Sequence, residues 1–290
     1  MPIDLSTALA NAPRQTKLAW RAQDVLLYQL AVGAGAASTD PAELRYVTEP
    51  EPVVLPSFAV VAPSLRTVAP PEITWPGLDI ELRKILHGSQ RIEVHRPMPA
   101  QAEAVAAERV AAVHDKGSAA VLVLATEVTG TEGEPLWTAT SRIFARGEGD
   151  FGGERGESVA IRAPERTPDA VFDTPTLPQQ ALLYRLLGDR NPLHNDPAVA
   201  AASGFPRPIL HGLCTYGMVL KGAVGALLDN DPTQVRVYEG VFTGVVFPGE
   251  TIRTSAWLDG QRIVLSSAIW SSTLPERLGA AVLSAEVTRW

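Results

Sequence analysis

The sequence predicts an α+β protein built from two similar halves, each a helical segment followed by an antiparallel sheet. Three observations carry that expectation. Long stretches alternate apolar and polar residues, as half-buried strands do: one from residue 87, then 102–115, 118–129 and 134–146, and again 234–247, 251–258, 261–271 and 280–289. The breaks between them are tight turns such as Asp115-Lys116-Gly117, Gly130 to Gly133 and Asp259-Gly260, which close hairpins rather than crossovers. Landmarks also recur: Tyr28 to Gly33 echoes Tyr184 to Gly188, Asp40-Pro41 echoes Asp196-Pro197, and His87-Gly88 echoes His211-Gly212. Tyrosine and His-Gly lie 59 residues apart in the first half and 27 in the second, which predicts a longer loop over 35–85. The chain accordingly divides into 1–150 and 151–290.

The elements follow in order. Residues 1–20 are a polar lead-in with a short strand at 17–20. Asp24 is placed to cap a helix over 25–32, which Gly33 and Gly35 end. The next fifty residues are rich in proline and predict extended loop around a short apolar helix at 57–65. After the first four strands comes a glycine- and charge-rich linker, with a strand expected at 159–163. A helix beginning near 177 reaches Gly188. Pro192 bends the chain, and Asp196-Pro197 starts a short helix with Asp196 as its cap. Pro206 and Pro208 keep 205–210 extended, and Gly212 opens an apolar helix over 213–228.

Composition narrows the function classes. Charged residues are 20% and hydrophobic residues 46%, enough apolar material for a full core. The net charge of -7 argues against a nucleic-acid partner, which is held by neutralising phosphates. Cys214 is the only cysteine, so neither an internal disulfide nor a cysteine metal cluster can form. The N-terminus lacks a basic-then-apolar signal pattern, and no apolar run approaches the ~18 residues that cross a bilayer. A cytoplasmic protein without a membrane partner is the expectation.

The chemistry-bearing residues concentrate in one place. Asp189, Asn191, His194 and Asp196 fall within eight residues, and His211-Gly212 follows fifteen residues later. Asp, Asn and Pro are also ordinary turn formers, so a purely structural role is open to each. An aspartate and a histidine five apart across a Gly-to-Pro bend nevertheless suit an acid–base pair. Asn191 either holds the turn or orients a catalytic neighbour. Gly212 at a helix start exposes backbone N–H groups in a region of partial positive charge, which suits a developing oxyanion. His211 is given a loop-orienting role. Cys214 sits in the first helical turn, where a thiol can be activated, but a small buried cysteine is the commoner case. A calcium loop fails because Leu193 replaces an oxygen ligand, and zinc lacks an evident third ligand nearby. Arg185, Arg190, Arg207 and Lys221 are candidates for meeting phosphates.

The pattern Tyr184-x3-Gly188-Asp189-x-Asn191-Pro192-Leu193-His194-x-Asp196-Pro197, followed by Gly204-Phe205-x3-Ile209-Leu210-His211-Gly212-Leu213, resembles the MaoC-like dehydratase family. More narrowly it resembles (R)-specific enoyl-CoA hydratase 2. The resemblance implies a double hotdog, in which two antiparallel sheets each wrap a long helix and the N-terminal copy is degenerate. It implies reversible addition of water to a trans-2-enoyl-CoA, giving the (3R)-hydroxyacyl-CoA. Asp189 and His194 then become the catalytic pair, Asn191 helps order the site, and Gly212 is the oxyanion donor. The substrate is an acyl-CoA thioester, and no cofactor or metal is required. Loss of the catalytic turn from the first copy suggests room for a long or bulky acyl group, a steroid thioester included. Pairing is common for this fold, so a homodimer of double hotdogs is a further expectation. The rival readings are a hotdog acyl-CoA thioesterase and a non-catalytic acyl-CoA binding subunit.

Overall fold

The computed structural model describes residues 3–71 and 74–290. The first half contains helix α1 (Leu5–Ala10), strand β1 (Arg14–Trp20), helices α2 (Ala22–Ala31) and α3 (Pro41–Val47), and 3-10 segments at Pro56–Val60 and Ala62–Ser64. A small hairpin of β2 (Thr74–Trp75) and β3 (Leu78–Asp79) precedes four long strands, β4 (Ile85–Val94), β5 (Ala102–Asp115), β6 (Ala119–Gly130) and β7 (Pro135–Arg146). The second half opens with β8 (Ala170–Pro175), α4 (Gln180–Tyr184), α5 (Pro197–Ala202) and α6 (Gly212–Leu227). It closes with β9 (Val235–Phe242), β10 (Thr251–Asp259), β11 (Arg262–Ser271) and β12 (Ala281–Arg289).

All long strands form one ten-stranded sheet in the order β1-β5-β6-β7-β4-β9-β12-β11-β10-β8. The order is the same read from either end: β1 takes the place of β8, β5 of β10, β6 of β11, β7 of β12 and β4 of β9. The halves meet edge to edge where β4 pairs antiparallel with β9, Ser89 opposite Val241 and Glu93 opposite Val237. This pairing removes one exposed sheet edge from each half. It is the α+β double hotdog that the family resemblance implies.

In the second half the sheet wraps α6. Cys214, Tyr216, Met218, Val219, Leu220 and Val224 are buried along its length. Tyr216 and Tyr238 lock the helix to β9 reciprocally, each hydroxyl donating to the other residue's carbonyl at 2.7 and 3.0 Å. That exchange satisfies two buried phenols that would otherwise be costly to desolvate. Two further contacts tie the halves together. The Lys221 ammonium of α6 pairs with the Glu43 carboxylate of α3, and Gln180 donates to the Ala31 carbonyl at 2.6 Å.

Among the described residues the first half has no counterpart of α6. Pro56 begins the equivalent segment and Pro63 falls inside it, where a helix would lose a hydrogen bond and clash with the preceding turn. Two 3-10 pieces replace the long helix. Pro56 follows Pro41 by fifteen residues, as Gly212 follows Pro197, so Leu55-Pro56 is the positional equivalent of His211-Gly212. The expected equivalence of His87-Gly88 with His211-Gly212 is therefore corrected. His87 lies in β4, where the register against β7 shifts between His87 and Ser89. The extra length falls after the 3-10 pieces, and its hairpin closes a second small core with Ile3, Val110 and Leu122.

Other expectations need adjustment. Asp24 is the third residue of α2 rather than its cap, and its carboxylate accepts the Arg21 N–H at 2.9 Å. No strand forms at 159–163; the edge strand is β8, whose side chains alternate between half-buried and exposed. β9 ends at Phe242, and 243–247 leave the sheet. Helix α1 falls in the stretch expected to be a polar lead-in; Asp4 caps it by accepting the Thr7 N–H at 3.2 Å. Among the described residues no helix is long and apolar enough to cross a membrane.

Candidate active site

The site begins where α4 ends. A 3-10 turn at Arg185–Leu187 stops at Gly188, whose φ of +113° lies in the left-handed region. A Cβ at Gly188 would sit 1.9 Å from the Ser64 carbonyl oxygen, so only glycine allows this close approach to the first half. The next residue, Asp189, turns back on itself, and its Oδ1 accepts the Asn191 N–H at 3.1 Å. Pro192 opens a 3-10 turn over Pro192–His194, which Asn191 caps by accepting the Leu193 N–H at 3.0 Å. Asp196 caps α5 by accepting the N–H groups of Ala198 and Val199 at 2.8 and 3.3 Å. The two caps fix the corner on both sides of His194.

His194 is 8% exposed. Its Nδ1 lies 2.9 Å from the Ile209 carbonyl, which can only accept. The neutral ring thus carries its proton on Nδ1, leaving the Nε2 lone pair free. His211, immediately before α6, stacks on His194 with ring centroids 3.8 Å apart and 30° between planes. Its Nε2 is 3.4 Å from the Asp189 carbonyl, and its Nδ1 is buried without a partner among the described residues. Tyr184 closes the other side, its ring 5.0 Å from that of His211. A carboxylate oxygen of Asp189 and one ring nitrogen each of His194 and His211 lie within 4.8 Å of one another.

His211 therefore packs against His194 as well as bordering the loop. It is also the third nitrogen or oxygen donor that a zinc site lacked in the sequence. The trio has the donor types of a divalent-metal site. The same atoms equally suit a water molecule undergoing proton transfer.

Burial sets the electrostatics. It pushes His194 below the ordinary imidazole value, while the Asp189 charge and the Ile209 carbonyl pull the other way. Burial pushes His211 well below that value, and charge on His194 pushes in the same direction. Both shifts favour neutral rings, which leaves the His194 Nε2 lone pair unprotonated. Burial also pushes the Cys214 thiol well above its ordinary range, and its Sγ lies 3.4 Å from the Ala31 carbonyl. That removes the nucleophile reading of Cys214.

Gly212 is the first residue of α6, and its N–H has no acceptor among the described residues. A Cβ there would lie 3.3 Å from the Phe242 ring, so the glycine keeps the helix tip open on that side. Phe242 in turn meets the His87 ring edge-on at 5.1 Å. Burial lowers His87 to about 4, with the Asp189 charge opposing the shift. The first half thus places a histidine against Phe242, the ring beside Gly212. Sequence reasoning missed this, because nothing local links residue 87 to residue 242.

Of the cations considered for phosphates, Lys221 is engaged with Glu43. Arg190 donates to the Thr67 carbonyl at 3.2 Å, and Arg207 lies over the Phe247 ring. Arg185 keeps its Nε buried and without a partner among the described residues.

Residues 159–269 match the MaoC like domain family, and residues 19–147 match the MFE-2 hydratase 2 N-terminal domain family. The chain is 51% identical over 284 residues to the enoyl-CoA hydratase ChsH3 of Mycobacterium tuberculosis, covering 98% of each protein. It is 38% identical over 279 residues to the peroxisomal enoyl-CoA hydratase 2 of Arabidopsis thaliana, covering 90% of this chain and 89% of that one. The crystal structure of a MaoC-like dehydratase from Phytophthora capsici superposes with a TM-score of 0.87 at 27% identity, covering 99% and 98% of the two chains. With two hotdogs joined at β4 and β9, and with relatives matched nearly end to end, the chain belongs to the MaoC-like dehydratase family, in its enoyl-CoA hydratase 2 branch.

Proposed function

We propose that the chain is an (R)-specific enoyl-CoA hydratase, a hydro-lyase that reversibly adds water to trans-2-enoyl-CoA, and that Asp189 and His194 are its acid–base pair. One observation carries the assignment of the pair. The Asp189 carboxylate and a neutral His194 with a free Nε2 converge beside the start of α6. A water held between them gives its oxygen to C3 of the substrate and a proton to the pair. The displaced electron pair moves through C2 to the thioester oxygen, which the Gly212 N–H and the positive end of α6 receive. The enolate then collapses as C2 takes a proton from the same pair, so both residues finish as they began. Asn191 and His211 are positioning residues: one holds the turn that aims His194, the other packs against its face.

The halves divide the work. Residues 151–290 carry the chemistry, while 1–150 hold the acyl group. Support comes from the missing central helix, which leaves a cavity of about 260 Å³ between the 3-10 pieces and the first sheet, reaching Leu213 beside the oxyanion donor. A long or bulky acyl group, such as a steroid side-chain thioester, suits that space. Cytoplasmic placement and pairing into a homodimer complete the proposal; light scattering of the purified chain tests the pairing.

The decisive assay follows loss of enoyl absorbance alongside release of free CoA. Hydration without a new thiol is the expected outcome. Stoichiometric thiol release would instead identify a thioesterase, and binding without either signal would identify a carrier subunit. Chiral analysis of the 3-hydroxyacyl product tests the (R) assignment.

A further inference from the structure

The cavity in the first half is apolar on its roof and partly polar on its floor. Ala59, Val60 and Pro63 of the 3-10 pieces cover it, and small residues such as Ala106 and Ala139 open space on the sheet. Its floor runs from Gln90 on β4 to Glu108 on β5, three strand spacings away in the order β4-β7-β6-β5. At a strand spacing near 4.8 Å, that span is about 14 Å. Leu213, next to the oxyanion donor, marks the inner end.

The polar groups at the two ends differ. At the inner end Gln90 and Ser141 satisfy each other, the serine hydroxyl donating to the amide oxygen at 2.7 Å. At the outer end Glu108 stands opposite Thr126 on β6 and opposite Arg14 on β1. Arg14 would be the natural partner for the carboxylate. Its guanidinium instead donates to the Thr74 carbonyl at 2.6 Å and lies 4.3 Å over the Trp75 ring. Among the described residues, neither the Glu108 carboxyl nor the Thr126 hydroxyl has a hydrogen-bond partner, and Glu108 has no ion pair. Burial raises the Glu108 carboxyl above its ordinary range, with Arg14 opposing. A half-buried carboxyl without a protein partner, at the end of a partly polar cavity, is better matched by a polar ligand group than by an apolar one.

We infer that Glu108 and Thr126 form a recognition site for an oxygen function, a hydroxyl or ketone, carried on the acyl group far from the thioester. This rests on the hydratase reading of the Asp189 and His194 site and narrows its substrate class. The preferred enoyl-CoA is oxygenated at its distal end, and an unsubstituted hydrocarbon of the same shape is the poorer substrate. The unsubstituted acyl group would leave Glu108 desolvated without a partner, which is the stronger part of such discrimination.

The test uses the full chain and three enoyl-CoAs on one fused-ring skeleton: unsubstituted, ketone-bearing and hydroxyl-bearing at the ring remote from the thioester. Wild-type protein is expected to favour at least one oxygenated substrate by about tenfold in kcat/KM. Glu108→Leu is expected to abolish that preference chiefly by raising kcat/KM for the unsubstituted substrate, since no carboxyl is left to desolvate, and Glu108→Gln to retain part of it. Thr126→Val supplies a second, smaller perturbation should Glu108→Leu fold poorly. Calorimetry with the saturated acyl-CoA analogues on Asp189→Asn protein reads the same preference without turnover, which separates failure of this inference from failure of the hydratase reading. Equal affinity for the three analogues, or a preference that survives both substitutions, overturns it.

Discussion

His194 and His211 stack face to face, 3.8 Å between ring centroids, at the point where α6 begins. Two stacked, buried imidazoles cannot both carry charge cheaply, so a proton taken by one disfavours a proton on the other. The arrangement favours the neutral form of His194. It also makes the site sensitive to acid in a definite direction.

The pH dependence follows from that direction. In the unfolded chain each histidine takes a proton near pH 6.5, whereas His194, His211 and His87 do so lower in the folded protein, His87 at about 4. Between those values the unfolded state binds more protons, so stability falls as pH drops. Above about pH 6.5 these rings contribute no slope. Thermal melts from pH 8 to pH 4 are expected to show a plateau and then a decline starting near 6.5. The acid limb of kcat/KM should likewise lie below 6.5. A limb at or above 6.5 would mean that His194 is not held as a buried neutral base.

Substituting the reacting pair separates chemistry from folding. Asp189→Asn and His194→Ala are each expected to fold normally by circular dichroism and lose about 10²–10⁴ in kcat. His211→Ala should cost less, about tenfold, and move the acid limb upward by admitting water to His194. His211→Phe keeps an aromatic face against His194 and should restore the limb to near its wild-type position. An inert core residue would move stability without moving the limb.

The donor trio of Asp189, His194 and His211 has its own test. Extended dialysis against a strong chelator, with metal content followed by mass spectrometry, is expected to leave hydration unchanged. Loss of activity restored by a divalent cation would reassign these residues as ligands.

Gly188 is where the catalytic turn is braced against the first half. Gly188→Ala forces a Cβ to within 1.9 Å of the Ser64 carbonyl at a φ of +113°. Strain of that kind costs more than about 2 kcal/mol, measurable as a lower urea midpoint. Activity should fall further than stability alone accounts for, because Asp189 is the adjoining residue.

Much of this was legible locally. The Asp40-Pro41 and Asp196-Pro197 caps, the left-handed stops at Gly33 and Gly188, the hairpin at Gly260 and the helix opening at Gly212 all obey rules that act within a few residues. The strand runs of the two sheets were readable for the same reason, since alternation records which side of a pleat each residue faces. The short edge strand β8 was misplaced to 159–163, because an edge beside prolines has weak alternation and little burial to mark it.

The motif residues, their spacing and the family to which they belong were written in the sequence itself, because turn chemistry and side-chain type act locally. Tertiary structure alone decided that β4 pairs with β9, that Lys221 answers Glu43, and that His87 from the first half packs on Phe242 from the second. It also decided that His211 lies flat on His194. These contacts join residues far apart in sequence, and their partners are selected by how two sheets close around one helix. Periodicity can tell a residue to point inward; only the closed fold determines what it meets there.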